Sequence, residues 1–391
     1  MPRILLLTAA ELTRDPRARR AASTARARGY DVVGVSGRVD GDVPAKLDGV
    51  PVVRVGGDAV TSRLRRAGLG GNRRSRPFVR ELRGVYRLGR LGALTARLAF
   101  AARRVGSVDV VHANDFDTLP AGWLVARRSG ARLVYDSHEL YTTQEVDPPR
   151  VFVRAVSKLE AALARSAAAV VTTGRPFAVE LRRRFALEEE PRIVLNCPER
   201  VADDPPAVPE EGPLRVVYQA AMGAGRPLGD VVEAARRAEG VDFTLRVVGA
   251  NTGELRKSIA AAGVDDRVHV AAPVPPDRLI DGLRGFHVGL IINRPVTMTD
   301  ELVVPNKLFE YMMAGLAVVA PRLPGLAGIV DGEGVGLTYE PGRPDDLAAA
   351  LERLAADPPR LAAARLRARE LALGRYNAET QSDALVAAWN G

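Results

Sequence analysis

Cysteine is almost missing from this 391-residue chain: the single thiol, Cys197, has no partner within the chain, which excludes a disulfide scaffold and fits a reducing compartment. Aromatic residues amount to 5%, too few for a surface that stacks nucleic-acid bases, so no nucleic-acid partner is expected. No run of about 18 apolar residues occurs, and none of the helices is expected to span a membrane. The opening apolar stretch 3–8 is shorter than the core of a signal peptide and reads as a first buried strand. No H-E-x-x-H and no cysteine pair are present, and Asp115 and Asp117 fall in an Asn-Asp-Phe-Asp turn, so neither a metal nor another cofactor is expected. No G-x-G-x-x-G follows the first strand, which disfavours a dinucleotide oxidoreductase.

What is present is an ordinary globular composition, 47% hydrophobic and 26% charged. At about 150 residues per domain, the length implies two units or more. The charge of +9 is uneven: from 61 to 104 stand thirteen Arg and one acid, Glu81, a local +12 against −3 for the remainder. Such a patch attracts phospholipid head groups, nucleic acid or an acidic acceptor; it is equally what Arg-rich codon usage leaves on a solvated face. Within it Arg80, Arg83, Arg87, Arg90 and Arg97 alternate with Leu82, Val85, Leu88 and Leu91 at helical spacing, as on a helix resting on an anionic membrane.

Short apolar runs alternate with helical patterns from end to end, the signature of parallel sheets covered on both faces. Strands are expected at 4–8, 31–36, 52–55, 108–112, 133–136, 169–173 and 192–196, then at 214–219, 243–249, 268–271, 288–292, 317–320 and 336–339. Between the two sets, 203–213 carries four prolines and four acids and reads as a linker. The expected architecture is α/β: a unit over 1–202, a second over 214–376, and a final helix over 377–391 returning to the first. Ligands of such sheets bind at the carboxyl ends of the strands.

The most informative segment is Pro305-Asn306-Lys307-Leu308-Phe309-Glu310-Tyr311-Met312-Met313-Ala314-Gly315. Asn306 suits an N-cap, about two helical turns follow, and Gly315 suits the left-handed C-terminal position. The N-terminus of this helix, with Lys307 beside it, suits a diphosphate, and Glu310 one turn in suits ribose hydroxyls. Spacing alone fits a capped helix with exposed Lys and Glu equally well. Of four histidines, His112 and His138 each follow an apolar run and precede polar residues, at the carboxyl ends of neighbouring strands; His269 and His287 stand at strand starts.

The segment Pro-Asn-Lys-Leu-Phe-Glu-Tyr-x-x-Ala-Gly-x-x-Val-Val-Ala resembles the C-terminal signature of glycosyltransferase family 4, enzymes of the GT-B fold. Asp15-Pro16-Arg17 with Gly29-Tyr30-Asp31, the stretches 110–115 and 134–140, and Val194-Leu195-Asn196-Cys197-Pro198 extend the resemblance over nearly the whole chain. It implies two Rossmann-like domains facing each other across a cleft and a retaining transfer of sugar from a nucleotide-sugar. By that pattern Asn306, Lys307 and Leu308 hold the donor phosphates, Glu310 its ribose, and backbone near Gly249 its base. His138 meets the donor sugar and His112 shapes the acceptor side, although a satisfied structural histidine fits His112 about as well. In Ala221-Met222-Gly223-Ala224-Gly225-Arg226, Arg226 fits the second of two phosphate-binding cations, while Ala221 stands where the first is usual. Eight positions before Glu310, where the family commonly has a sugar-holding Glu, stands Leu302, and Asp300 and Glu301 are out of register.

The resemblance further implies a cytoplasmic enzyme whose partners are a nucleotide-sugar and a sugar, lipid-linked or small-molecule acceptor, peripheral on the membrane if the Arg-rich helix rests there. A non-catalytic nucleotide-sugar binder and a GT-B epimerase are the rival readings.

Overall fold

Strands buried on both faces belong inside a sheet covered by helices, and the first strand, β1 (Arg3–Thr8), is buried at every residue after Arg3. The computed structural model describes all residues except 13–14, 38–45, 48, 57–76, 204–211, 222–226, 250–251 and 276–277. Residues 1–194 with 382–391 form one unit and residues 195–381 another. Most of the expected linker, 204–211, and the expected turn at Arg226 lie outside the described residues.

In the first unit β1 is followed by α1 (Pro16–Ala27), β2 (Asp31–Gly37), β3 (Lys46–Leu47), β4 (Val50–Val55), α2 (Pro77–Ala102), β5 (Val110–Asn114), α3 (Leu119–Ser129), β6 (Arg132–Ser137), α4 (Arg150–Ser166), β7 (Ala169–Thr172), α5 (Arg175–Phe185) and β8 (Arg192–Ile193). The strand order is β3-β4-β2-β1-β5-β6-β7-β8. Every pairing is parallel except that of β3 with β4. The order reverses between β1 and β5, which makes that edge the crevice where such sheets take ligands. Trp389, Leu385 and Ala388 from the chain's last residues join the core around Ile4, Leu6 and Val110. The strand expected over 192–196 is only two residues long. Val194 still donates to Thr172, but the N–H of Leu195 is taken by the Gln381 side chain at 2.8 Å, and the backbone leaves the ladder there.

The second unit runs β9 (Leu214–Ala221), α6 (Leu228–Arg237), β10 (Val241–Val248), α7 (Thr252–Ala261), β11 (Val268–Ala271), α8 (Leu279–Leu283), β12 (Val288–Leu290), α9 (Met298–Leu302), α10 (Asn306–Met313), β13 (Ala317–Pro321), α11 (Pro324–Val330), β14 (Gly336–Tyr339), α12 (Pro344–Ala355) and α13 (Pro358–Gly374). A last helix, α14 (Ala378–Asn390), carries the chain from 382 onward into the first unit. The sheet order is β11-β10-β9-β12-β13-β14, all parallel. β9 pairs with β10 over 214–221 but with β12 only at Val216 and Val217, so the two strands part company early on the reversal side. Among the described residues no helix is long and apolar enough to cross a membrane.

Candidate functional site

In the first unit the sequence Asp15-Pro16-Arg17 builds a helix start and then uses it. Asp15 accepts from the backbone N–H groups of Arg17 and Ala18, and Pro16 opens α1 with its fixed φ. That start aims the Arg17 guanidinium at Asp136 on β6. Arg17 Nε donates to Oδ2 at 2.8 Å and Nη2 to Oδ1 at 2.7 Å, while Nη1 donates to the Val194 carbonyl at 2.7 Å. Both partners are buried, Arg17 to 7% and Asp136 to 1% exposure. Burial would raise the Asp136 pKa, yet Arg17 first, then His138, hold it well below the usual carboxylate range.

His138 follows β6 and lies between two carboxylates. Its Nδ1 is 3.0 Å from Asp115 Oδ2 and its Nε2 3.7 Å from Asp136 Oδ2, and its backbone N–H donates to Asp115 Oδ1 at 3.0 Å. Asp115 reaches back this way from a left-handed backbone, φ 59°, that few non-glycine residues adopt. Burial opposes a charge on the imidazole, but Asp115 and Asp136 outweigh it and push the pKa up to about 10. At neutral pH His138 is therefore an imidazolium: it donates hydrogen bonds and does not take a proton.

His112 sits inside β5 with no exposed surface. Trp389 Nε1, which can only donate, lies 3.2 Å from His112 Nδ1, so the ring proton is on Nε2, 3.4 Å from Asp136 Oδ2. The sequence placed His112 at the acceptor side. The structure buries it completely, with its Nε2 towards Asp136.

In the second unit the segment 305–315 opens with Pro305, not Asn306, at the N-cap. Pro305 is extended, φ −75° and ψ 144°, and its carbonyl takes the N–H of Leu308, which leaves Asn306 as the first helical residue and corrects its expected capping role. Pro305 supplies no side-chain cap to this end. The far end is closed twice over. Gly315, at φ 75°, lets Leu316 donate to Tyr311 and itself donates to Met312, and Arg369 donates to the Met313 carbonyl at 2.5 Å. A helix closed at its carboxyl terminus, with no capping side chain from its N-cap residue, presents its first N–H groups and positive dipole end.

Packing decides where that end points. Leu308, Phe309, Tyr311, Met312 and Met313 are buried, whereas Lys307 and Glu310 are half-buried and Asn306 is exposed. The Tyr311 hydroxyl donates to the Leu290 carbonyl at 3.2 Å and accepts from the Gln219 N–H at 3.1 Å, bridging β12 and β9 where their ladder has ended. Gly289 makes this fit possible: a Cβ there would lie 2.2 Å from the Tyr311 ring. The helix is thereby pinned at the sheet's reversal point, and Lys307 Nζ stands 4.9 Å over the Tyr218 ring. Gly249 ends β10 at φ 76°, exposed. Leu302 ends α9, where Asp300 is occupied as the capping partner of Thr297.

The structure thus brings Asn306, Lys307, Leu308 and Glu310 onto one helix, and His138 and His112 onto one carboxylate, Asp136. Sequence reading passed over Asp136, Asp115 and Arg17 as chemistry. Their signal was an acid inside an apolar strand and an Arg directly after an Asp-Pro helix start.

Of the Arg-rich segment, residues 61–76 other than those of α2 lie outside the described residues. On α2, Phe78, Val79, Leu82, Val85, Tyr86 and Phe100 are exposed. Arg80 pairs with Asp147 at 2.6 Å and Arg87 with Glu145 at 2.8 Å.

Two family models match the chain: "Glycosyl transferase 4-like domain" over residues 15–198 and "Glycosyl transferases group 1" over residues 226–357. No curated protein matches the sequence. Solved structures of similar fold include sucrose-phosphate synthase from Thermosynechococcus elongatus, with 16% identity, TM-score 0.75, and 99% and 98% of the two chains covered. Anabaena HepE in complex with UDP aligns at 16% identity and TM-score 0.69 over 99% of both chains. S. aureus TarM, in complex with UDP and alpha-GlcNAc-glycerol, aligns at 10% identity and TM-score 0.69 over 100% of both. The shared architecture is GT-B, two parallel-sheet α/β domains.

Proposed function

We propose a sugar transfer for this chain, which belongs to the glycosyl transferases of these two family models: a nucleotide-sugar bound by the second unit gives its sugar to a hydroxyl bound by the first. The observation that carries the reading is the α10 N-terminus, given no side-chain cap by Pro305 and pinned at the sheet's reversal point, with Lys307 beside it and Glu310 on the next turn. Backbone N–H groups and Lys307 meet the diphosphate, with no metal ion, and Glu310 accepts from the ribose hydroxyls. UDP in the complexes of HepE and TarM supports a nucleotide diphosphate as the kind of ligand. Arg226 adds a second cation and backbone at Gly249 takes the base.

In the transfer the acceptor oxygen bonds to the anomeric carbon, the bond from that carbon to the phosphate oxygen breaks, and the acceptor proton passes to the departing phosphate, with retention. His138, as an imidazolium, stabilises negative charge or polarises a sugar hydroxyl and does not act as the base. The enzyme is read as cytoplasmic and peripheral on the membrane: the exposed apolar strip of α2 beside its arginines supports contact with anionic lipid. Flotation with neutral vesicles as readily as with anionic ones would remove that part.

The central test is a thermal-shift screen of UDP-, GDP-, TDP- and ADP-sugars. One nucleotide class raises the melting temperature of the parent, and the Lys307→Ala, Glu310→Ala double variant does not respond. No response of the parent to any of them, or an equal response of the double variant, overturns the assignment. Product analysis with donor alone separates transfer from epimerisation.

A further inference from the structure

At the carboxyl end of the first sheet lies a cavity of about 380 Å³, reached by the ends of β1, β2, β4, β5 and β6. One wall is α2, which contributes Arg87, Arg90 and Arg97, at spacings of three and seven and so on one helix face. The opposite side holds Asp117 and Tyr141, whose hydroxyl donates to Asp117 Oδ1 at 2.5 Å. Burial chiefly pushes the Asp117 pKa up.

Arg87 shares its charge with Glu145 at 2.8 Å and its Cζ stands 4.3 Å from the Phe152 ring centroid. Arg97 Nη1 donates to the Gly56 carbonyl at 3.2 Å, a neutral partner that leaves its charge in place. Asp117 is the one carboxylate among the described lining residues. A site for an uncharged hydroxyl compound gains nothing from three guanidinium groups, whose planar forks match phosphate oxygens.

We propose that this cavity is the acceptor site and that it selects an acceptor carrying a phosphate group next to its reacting hydroxyl. The arginines of α2 hold the phosphate, and Asp117, steadied by Tyr141, orients the hydroxyl as a positioning residue. The volume is at the small end of ligand sites, enough for one phosphorylated polyol or sugar residue, so a longer acceptor enters by its terminal unit. The proposal rests on the transfer reading for the word acceptor, but the anion preference stands on the cavity itself.

Microcalorimetry on the full chain tests it with glycerol 3-phosphate, glycerol, and vesicles of phosphatidylglycerol or phosphatidylcholine. Glycerol 3-phosphate binds, glycerol does not, and the Arg90→Gln, Arg97→Gln double variant binds about tenfold more weakly or worse. If the phosphatidylglycerol vesicle takes the place of the soluble ester, with the same loss in the double variant, the phosphate belongs to a lipid headgroup. Both side chains are exposed, and an unchanged melting temperature is expected; should the double variant melt lower, Arg97→Gln alone carries the comparison. Equal binding by parent and variant, or no binding of either anion by the parent, overturns the proposal. Nucleotide response on the same samples separates the readings: retained without anion binding, it leaves the transfer reading and removes this one; lost with anion binding intact, it does the reverse.

Discussion

The two units share a parallel sheet that reverses its order beside the first strand but furnish their ligand ends differently. In the first, Asp136 collects Arg17, His112 and His138, and Asp115 closes on His138 from the other side. Charge there is compensated inside the protein before anything binds. In the second, Pro305 gives the α10 N-terminus no side-chain cap, and the helix's positive end is set by packing: Tyr311 against Gly289, and Arg369 on the far carbonyls. The first arrangement presents a side chain between fixed counter-charges, whereas the second offers backbone donors at a helix start. A fixed charge needs buried counter-charges; a backbone anion site needs only orientation.

The largest effect expected from this contrast follows from removing the hub of the first network. Asp136→Ala leaves Arg17 buried without its carboxylate and strips one counter-charge from His138, and it should cost about 3–5 kcal/mol in urea unfolding. A loss below about 1 kcal/mol would mean that the network relaxes freely and would break the comparison.

Function should divide along the same line. His138→Ala lowers kcat by about a hundredfold or more with little change in nucleotide affinity, as for a group acting on developing charge. Lys307→Ala and Glu310→Ala should each weaken nucleotide binding by about tenfold to a hundredfold with little loss of fold stability, the effect of one hydrogen bond to a charged group. The reverse pattern, affinity lost at His138 and turnover lost at Lys307, would exchange the roles of the two units.

The smallest effect sharpens what burial without compensation does. On α4, Glu160 is 2% exposed and accepts the Tyr135 hydroxyl at 2.6 Å, and burial above all pushes its carboxyl from 4.5 up to about 8. The folded chain keeps a proton that the unfolded chain has lost, so stability from this group falls as pH rises from 4.5 towards 8. His138 has the same direction at higher pH: its contribution is complete below 6.5 and is lost as pH rises through about 10. Glu160→Gln should flatten the first fall, read as melting temperature against pH, and leave the second; an unchanged slope below pH 8 would contradict the burial argument.

Much of this was legible without coordinates. Apolar runs marked the strands because parallel strands are buried on both faces, and 305–315 announced its helix through its two helical turns and Gly315. What misled was local reasoning about polar side chains. Asn306 has the chemistry of a cap, but Pro305 already fixes the extended turn into the helix, so the position moves by one. His112 and His138 look alike, each after an apolar run, yet one lies within its strand under Trp389 and the other just past its strand beside Asp115.

The sequence by itself determined the two α/β units and the short helix with Lys307 and Glu310, because periodicity and turn chemistry act between residues close in the chain; the family came from the resemblance of its motifs. Only the tertiary structure decided that His138 lies between two carboxylates while His112 is buried in its strand, and which end of α10 is closed. Those depend on partners far apart in sequence, Arg17 with Asp136, His112 with Trp389 and Met313 with Arg369, and on the loss of water that makes each pairing count.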